Sequence, residues 1–426
     1  MVSRKSLVPE ACIMKKVYSR CCGLDVHKKV ICAHFKSGRN DEYREFGGTT
    51  RELREMAEWL KNGKCEMIAM ESTGSYWKPV YNILEDSGLN VIVVNAQHMK
   101  NVPGRKTDAS DANWICELLQ NGLLMASYIP ERQQRELREL MAYRGSLTKT
   151  QSAELNRLQK ILEGANIKLS GTVTNINGKT SRNLLDYVLS GKPIDLVQIE
   201  KMRAEHKIFR VKATDEQLVS DLEGSLTDTQ RSLIKMLLRH IDELENSLND
   251  IDELIDQSMT EDQKNAAKML ETIPGIGEAS SKAIISVIGT DMKRFPNASC
   301  LASWAGLCPG NNESAHKRLS GKTRKGNKLL RTTLTLCAHS AVKQKNTYFS
   351  AQYARISAHR GKKRAIIAVA HSMLIAIYHM LNEGTPFHDL GSNFYNQFNT
   401  EKKINSHLRR LKELGWTPES ATNTPA

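Results

Sequence analysis

No two cysteines in this chain stand two residues apart. The nine present (Cys12, Cys21, Cys22, Cys32, Cys65, Cys116, Cys300, Cys308 and Cys337) are odd in number and scattered. Neither a disulfide framework nor a cysteine zinc site is expected, and the compartment implied is reducing, hence cytoplasmic. No apolar run approaches the roughly 20 residues that span a bilayer, so no membrane partner is expected. The first twenty residues carry Arg4, Lys5, Lys15, Lys16 and Arg20 but no continuous apolar segment, which argues against a secretory leader. Composition is otherwise that of a globular protein, with 40% hydrophobic and 25% charged residues. At 426 residues the chain is too long for one core, and two or three domains are expected.

Acidic residues are nearly missing from one stretch. Between positions 311 and 370, Glu313 stands alone against fourteen lysines and arginines, while the whole chain carries a formal net charge of +14. Almost the entire imbalance is therefore local. A focused positive field suits a polyanion, because lysine and arginine displace counterions condensed on phosphates. A solvated basic face or an anionic membrane surface would show the same charge; the acids upstream favour nucleic acid.

Those acids are Asp25, Glu71, Asp108 and Asp111. Asp25 and Glu71 follow apolar runs that read as buried strands, in Cys22-Gly23-Leu24-Asp25 and Ile68-Ala69-Met70-Glu71. Asp108 and Asp111 open an amphipathic helix and, three apart, share one face. Carboxylates raised from two strand ends and a helix can converge on a hard divalent cation such as Mg²⁺. Metal ions so held clamp the attacking and leaving oxygens of a phosphodiester. Each acid also has a plainer reading: a strand end, or for the pair an N-cap with its capping-box partner.

Residues 17–122 alternate strand and helix. Strands are expected over 24–35, 42–46, 65–70 and 90–95, and helices over 50–62, 76–86 and 108–123. This alternation predicts a mixed or parallel sheet covered by helices, an α/β domain over 17–127. A helical middle (128–262) follows. In it Ile234, Leu237, Ile241, Leu244, Leu248, Ile251 and Ile255 keep a heptad rhythm, which predicts a coiled coil or an amphipathic helix packed within its own chain. Residues 166–210, rich in Gly, Ser, Thr and Asn, read as a loop or small insertion. Over 263–390 the chain is again mostly helical. Ile273-Pro274-Gly275-Ile276-Gly277 suggests a helix-hairpin-helix whose glycines let backbone N–H groups meet a phosphate, or else a plain turn between packed helices. Further helices are expected over 328–343 and 365–381. Residues 391–426 read as a polar tail, disordered after Trp416.

Taken in order, these motifs resemble the DEDD-type transposases of the IS one-ten insertion-sequence family. The marks are Gly23-Leu24-Asp25-Val26, Glu71-Ser72-Thr73-Gly74, Lys106-Thr107-Asp108-Ala109-Ser110-Asp111, Ile273-Pro274-Gly275-Ile276-Gly277, Ala305-Gly306-Leu307-Cys308-Pro309, Asn312-Glu313-Ser314-Ala315 and Lys325-Gly326-Asn327. The resemblance implies an RNase H-like (RuvC-like) first domain with Asp25, Glu71, Asp108 and Asp111 as its magnesium-binding acids. It implies a C-terminal transposase domain in which Ser314 is the nucleophile and forms a phosphoserine link to DNA. It further implies a structured guide RNA, DNA partners at the element ends and target, and a homodimer or homotetramer. Lys317, Arg318, Lys322, Arg324, Lys325, Lys328, Gly275 and Gly277 are the expected nucleic-acid contacts. By itself the sequence does not choose Ser314 over Ser320, Ser303 or Thr323. Two rivals stay open: a RuvC-like junction nuclease without serine chemistry, and a non-catalytic nucleic-acid scaffold.

Overall fold

The structure, a computed structural model, describes residues 17–94 and 111–416, apart from positions 39, 73, 210, 212, 311, 315, 316, 398 and 399. For 312–314, 317–320, 396–397 and 400–403 only the backbone is described. The chain divides into two compact units, Met1–Pro130 and Glu131–Ala426.

The first unit is a six-stranded mixed sheet in the order β3-β2-β1-β4-β5-β6. Its strands are β1 (Arg20–Val26), β2 (Val30–Ser37), β3 (Asn40–Gly47), β4 (Met67–Glu71), β5 (Val91–Val94) and β6 (Ala126–Ser127). β1, β4 and β5 run parallel, while β2, β3 and β6 are antiparallel to their neighbours. The single strand expected over 24–35 is in fact a hairpin. The polar triplet His27-Lys28-Lys29 breaks it, and the His27 N–H donates to the Val30 carbonyl at 3.0 Å. Helix α1 (Thr50–Asn62) starts at a capping box between Thr49 and Glu52 and buries Leu53, Met56, Ala57 and Leu60. With α2 (Trp77–Asp86) it supplies residues to the core that takes Cys22, Leu24, Ile68, Met70 and Val93 from the sheet. Helix α3 (Asp111–Gln120) shares a second, smaller cluster with Cys21 and Ala69 through Ile115, Cys116 and Leu119.

In the second unit, α4 (Arg132–Gly164) and α8 (Asp228–Ser258) form an antiparallel pair. The Gln133 amide donates to the Ser258 carbonyl (3.1 Å), Arg144 binds the Asp252 carboxylate, and His240 approaches Glu154 at 3.5 Å. Ile234, Leu238, Ile241, Leu244, Ile251 and Ile255 are buried along α8, in clusters shared with Leu137, Leu147, Leu158 and Leu162 of α4. The heptad face is thus filled by its own chain, the second of the two readings of that pattern.

The segment expected as a loop or small insertion over 166–210 is helical rather than a loop. It contains α5 (Lys179–Leu189) and α6 (Leu196–Ala204) and leads into α7 (Asp215–Leu222). Leu184, Leu185, Ile199, Met202, Leu218 and Leu222 make a core with the distal part of the long pair. Gly178, one of the residues that suggested a loop, is the N-cap of α5, and the Asp195 side chain caps α6 by accepting from the Gln198 N–H at 2.8 Å.

The remainder comprises α9 (Glu261–Leu270), α10 (Glu278–Ile288), α11 (Ala298–Trp304), the two-stranded hairpin β7 (Asn312–Ser314) and β8 (Lys317–Ser320), α12 (Lys328–Ala341), α13 (Tyr348–Arg360) and α14 (Lys362–Glu383). Helix α14 is long and apolar enough to cross a membrane by length and composition. Here it is a core helix, with Ala365, Val369, Ala370, Met373, Leu374 and Ile377 all fully buried. Residues expected within a polar tail form α15 (Thr400–Glu413), and positions 417–426, where disorder was expected, lie outside the described residues.

Candidate catalytic carboxylates and nucleic-acid interface

Strand periodicity puts Cys21, Gly23 and Asp25 of β1 on one face of the sheet, with Ala69 and Glu71 of β4. Cys21 and Ala69 are the residues that meet α3, so this is the α3 face. The parallel ladder between β1 and β4 ends at Leu24–Met70. Asp25 and Glu71 therefore each stand one residue past its last rung, side by side at the carboxyl ends of their strands, where open α/β sheets gather ligands.

Gly23 decides how closely α3 lies. A Cβ built there would meet the Ala112 carbonyl oxygen at 2.2 Å and the Cys116 nitrogen at 2.5 Å. Only a residue without a side chain allows this backbone approach. The Cys21 and Cys116 sulfurs lie 3.6 Å apart, so α3 runs back along β1 and its first residue, Asp111, stands at the Asp25 end. Asp25, Glu71 and Asp111 are thereby brought to one end of one face. Asp108 lies outside the described residues. Asp25 is mostly buried, with its side chain 16% exposed, and its carboxylate is bonded to His27 Nε2 at 3.1 Å.

Oxygen-only donors of this kind fit a hard cation. Among the described residues, however, no three acidic, histidine or cysteine side chains are gathered closely enough to hold a metal. The carboxylate set is open, with its fourth expected member undescribed. The thiols of this unit are not ligands in waiting. A hydrogen bond to Cys21, then burial, drives the Cys116 pKa upward, and burial pushes Cys65 up to about 12. Both remain protonated packing groups.

The backbone of Ser314 ends β7, paired with Lys317 of β8, and Glu313 pairs with Arg318. The hairpin is rooted by contacts that sequence reading did not single out. Pro309 bridges to Thr323, and the Gly310 N–H donates to the Lys322 carbonyl at 2.9 Å. Arg331 donates to the Gly306 and Arg324 carbonyls, both at 3.2 Å, and to the Thr323 hydroxyl at 2.7 Å. Gly306 and Gly326 touch backbone to backbone, since a Cβ on Gly306 would lie 2.7 Å from the Gly326 nitrogen. Lys322, Arg324, Lys325 and Lys328 are exposed around this root. The side chains of Lys317 and Arg318 lie outside the described residues.

The glycine turn at 273–277 divides between its two readings. Gly275 has φ +88°, and a Cβ there would meet the Cys337 carbonyl at 2.5 Å and the Ala341 nitrogen at 2.6 Å. Its missing side chain is what lets the turn pack on α12. Gly277, the exposed N-cap of α10, has open space around it and remains compatible with an anion contact.

One further feature adjoins the hairpin root. A cavity of about 880 Å³ is lined by Leu307, Pro309, Lys322 and Thr323 on one side and by Gln352 of α13 and Lys363, Arg364, Ile367, Ala368, His371 and Ser372 of α14 on the other. Of these, the sequence reading counted Lys322, Lys363 and Arg364 in the basic stretch and quoted Leu307, Pro309 and Thr323, but missed Gln352, Ile367, Ala368, His371 and Ser372. The signal available was their spacing of four along α14.

A carboxylate-bearing mixed sheet in one unit and a basic, serine-bearing hairpin in a helical second unit define the class: a DEDD-type transposase architecture. Two family models match in that order. The first, for DEDD transposases of the IS110 type and described as "Transposase", covers residues 22–167; the second, "Transposase IS116/IS110/IS902 family", covers 267–354. Together they span more than half of the chain, which belongs to the IS110 transposase family. It is 30% identical over 205 residues to a pilin gene-inverting protein of Moraxella lacunata, covering 46% of this chain and 60% of that one. It is 24% identical over 326 residues to a probable family 20 transposase of Pseudomonas aeruginosa, covering 75% and 80%. An IS110 protein of Streptomyces coelicolor is 30% identical over 122 residues, 28% of this chain and 29% of that one. The match thus spans only about 60% of the length of the pilin gene-inverting proteins.

Proposed function

We propose that the protein is the DNA transposase of an insertion sequence, cutting and rejoining strands through a phosphoserine intermediate. One observation carries this reading: Gly23 draws α3 onto β1, so that Asp111 joins Asp25 and Glu71 at one end of one sheet face. Asp25, Glu71, Asp108 and Asp111 are the residues that would hold Mg²⁺. When bound, the ion supplies Lewis-acid stabilisation of charge on the scissile phosphate.

Ser314 attacks that phosphorus through its hydroxyl oxygen. The hydroxyl proton is lost, a P–O bond forms to serine, and the P–O bond to the neighbouring deoxyribose breaks, that oxygen leaving as a hydroxyl. Reversal by another strand's hydroxyl reseals the backbone with no net change in bond type. Lysines and arginines at the hairpin root hold the phosphate and offset its developing charge. A structured RNA selects the DNA by base pairing, as in other guided systems, and the active form is a homodimer or homotetramer. The resemblance of the motifs supports these last two assignments.

A suicide DNA substrate tests the chemistry. The wild type should yield a covalent protein–DNA species that survives denaturation. Ser314→Ala should lose it, while Ser320→Ala, in the same basic setting, should retain it. An adduct persisting in Ser314→Ala moves the nucleophile elsewhere. Magnesium-dependent cleavage with no adduct in the wild type supports a junction nuclease instead.

A further inference from the structure

The cavity beside the hairpin root has an order to its lining. Lys322, Lys363 and Arg364 are exposed at its mouth; Thr323, Ile367, Ala368, His371 and Ser372 are half-buried; Leu307 and Gln352 are buried. On α14 the pairs 363/364, 367/368 and 371/372 recur every four residues, so one helix face passes from cationic through apolar to polar over two turns. Its volume of about 880 Å³ lies within the range of small-ligand sites.

Two features of the lining call for a ligand. Lys362, Lys363 and Arg364 occupy the first turn of α14, whose N-cap, Gly361, offers no side-chain cap. Cations at the positive end of a helix dipole oppose the helix and suit an incoming anion. Deeper, Gln352 is only 8% exposed, and its amide donates to the Ser372 hydroxyl at 2.8 Å. Its other polar atom, Oε1, is buried without a hydrogen-bond partner. A buried amide oxygen is costly to leave unmatched. Burial also lowers the His371 pKa, so the imidazole there is neutral and can donate or accept.

We propose that this cavity receives a single unpaired DNA nucleotide, its phosphate at the cationic mouth and its base against Ile367, Ala368 and Leu307, within reach of Gln352, Ser372 and His371. An anionic group joined to a flat, partly apolar ring with N–H donors matches that order of lining, and no other part of a DNA strand does. A paired base is unavailable to such a pocket; a base must leave its stack to enter. The proposal rests on the reading of the protein as a DNA transposase and adds to it a site that senses a displaced nucleotide next to the serine hairpin.

Fluorescence anisotropy on the full chain tests it with three labelled duplexes: fully paired, with one bulged nucleotide, and with an abasic bulge. The base-bearing bulge should bind about tenfold more tightly than the abasic one, the scale of one base placed on a protein surface. Ala368→Trp should fill the cavity and erase that preference while keeping affinity for the paired duplex. Because a tryptophan there also perturbs packing, Lys363→Gln with Arg364→Gln, both on exposed positions, provides an independent arm and should weaken both bulged duplexes more than the paired one. Equal binding of the two bulges, a preference that survives Ala368→Trp, or a charge variant that weakens paired and bulged duplexes alike, overturns the pocket. A bulged RNA duplex that outcompetes the DNA one overturns the assignment to DNA. Loss of recombination with the pocket preference intact leaves the pocket standing and counts against the proposed function instead.

Discussion

Replacing Gly23 with alanine puts the carboxylate site under direct test. The new Cβ would meet the Ala112 carbonyl oxygen at 2.2 Å and the Cys116 nitrogen at 2.5 Å, where ordinary contact begins at 3.4 Å. Both obstacles are helix backbone, so neither can swing aside as a side chain would. Helix α3 must move by roughly an ångström or the strand must bend, and overpacking of this kind costs about 1–3 kcal/mol. For a unit of this size that lowers the melting temperature by roughly 4–12 °C.

The catalytic cost should be larger than the stability cost. Asp111 begins the displaced helix, and a misplacement of about 1 Å in a catalytic array can cost about a hundredfold in rate. The assay is magnesium-dependent strand cleavage, measured well below the new melting temperature. Circular dichroism melting runs in parallel. Gly145→Ala, inside α4, is the control: its Cβ meets nothing within 4 Å and alanine is the better helix former, so neither melting nor cleavage should fall. If Gly23→Ala melts and cleaves like the wild type, α3 does not set the position of Asp111, and the three carboxylates are not assembled in this way.

Other outcomes follow from the same structure. Asp25→Asn should abolish magnesium-dependent cleavage while leaving the melting curve nearly unchanged; cleavage at the wild-type rate refutes the metal role. Neutralising Lys322, Arg324 and Lys325 together should flatten the log–log salt dependence of DNA affinity, by up to about 0.9 for each phosphate that then goes unneutralised. An unchanged slope would mean a merely solvated face. Arg138 donates to the Ser286 carbonyl at 3.1 Å and also to Val287, closing the C-terminal end of α10. Arg138→Met should therefore cost about 1–3 kcal/mol in urea unfolding, with the carbonyls left unmatched. Among the described cysteines, Cys300 is exposed while Cys21, Cys22, Cys116 and Cys337 are buried. Of these, alkylation at pH 8 should reach Cys300 first, and fast labelling of Cys116 would contradict the packing of α3.

Local pattern alone was enough for much of this protein. Alternation of β-branched and amphipathic runs predicted the mixed α/β unit, because strand and helix periods are written directly into which residues are apolar. Helix α1 was legible to the residue, since Thr49 and Glu52 make its cap and Leu53, Met56, Ala57 and Leu60 its face. The basic stretch was legible because charge is a property of composition. The segment 166–210 left loop and small insertion both open, because Gly, Ser, Thr and Asn mark loops and helix ends alike, and only packing against α4 and α8 selects the helical outcome.

What tertiary structure decided concerns partners far apart in the chain. The heptad face of α8 could serve a second copy or its own chain, and the choice depended on α4, about a hundred residues earlier, reaching back to fill it. That Gly275 must lack a side chain became visible only with α12 packed against it. Asp25, Glu71 and Asp111 were chosen from sequence as a set, but their common face follows from strand register and from a glycine whose missing side chain lets a helix rest on β1. Periodicity is local and can be read in order. Close approach between distant backbones is not local, because it depends on which two surfaces the folded chain finally brings together.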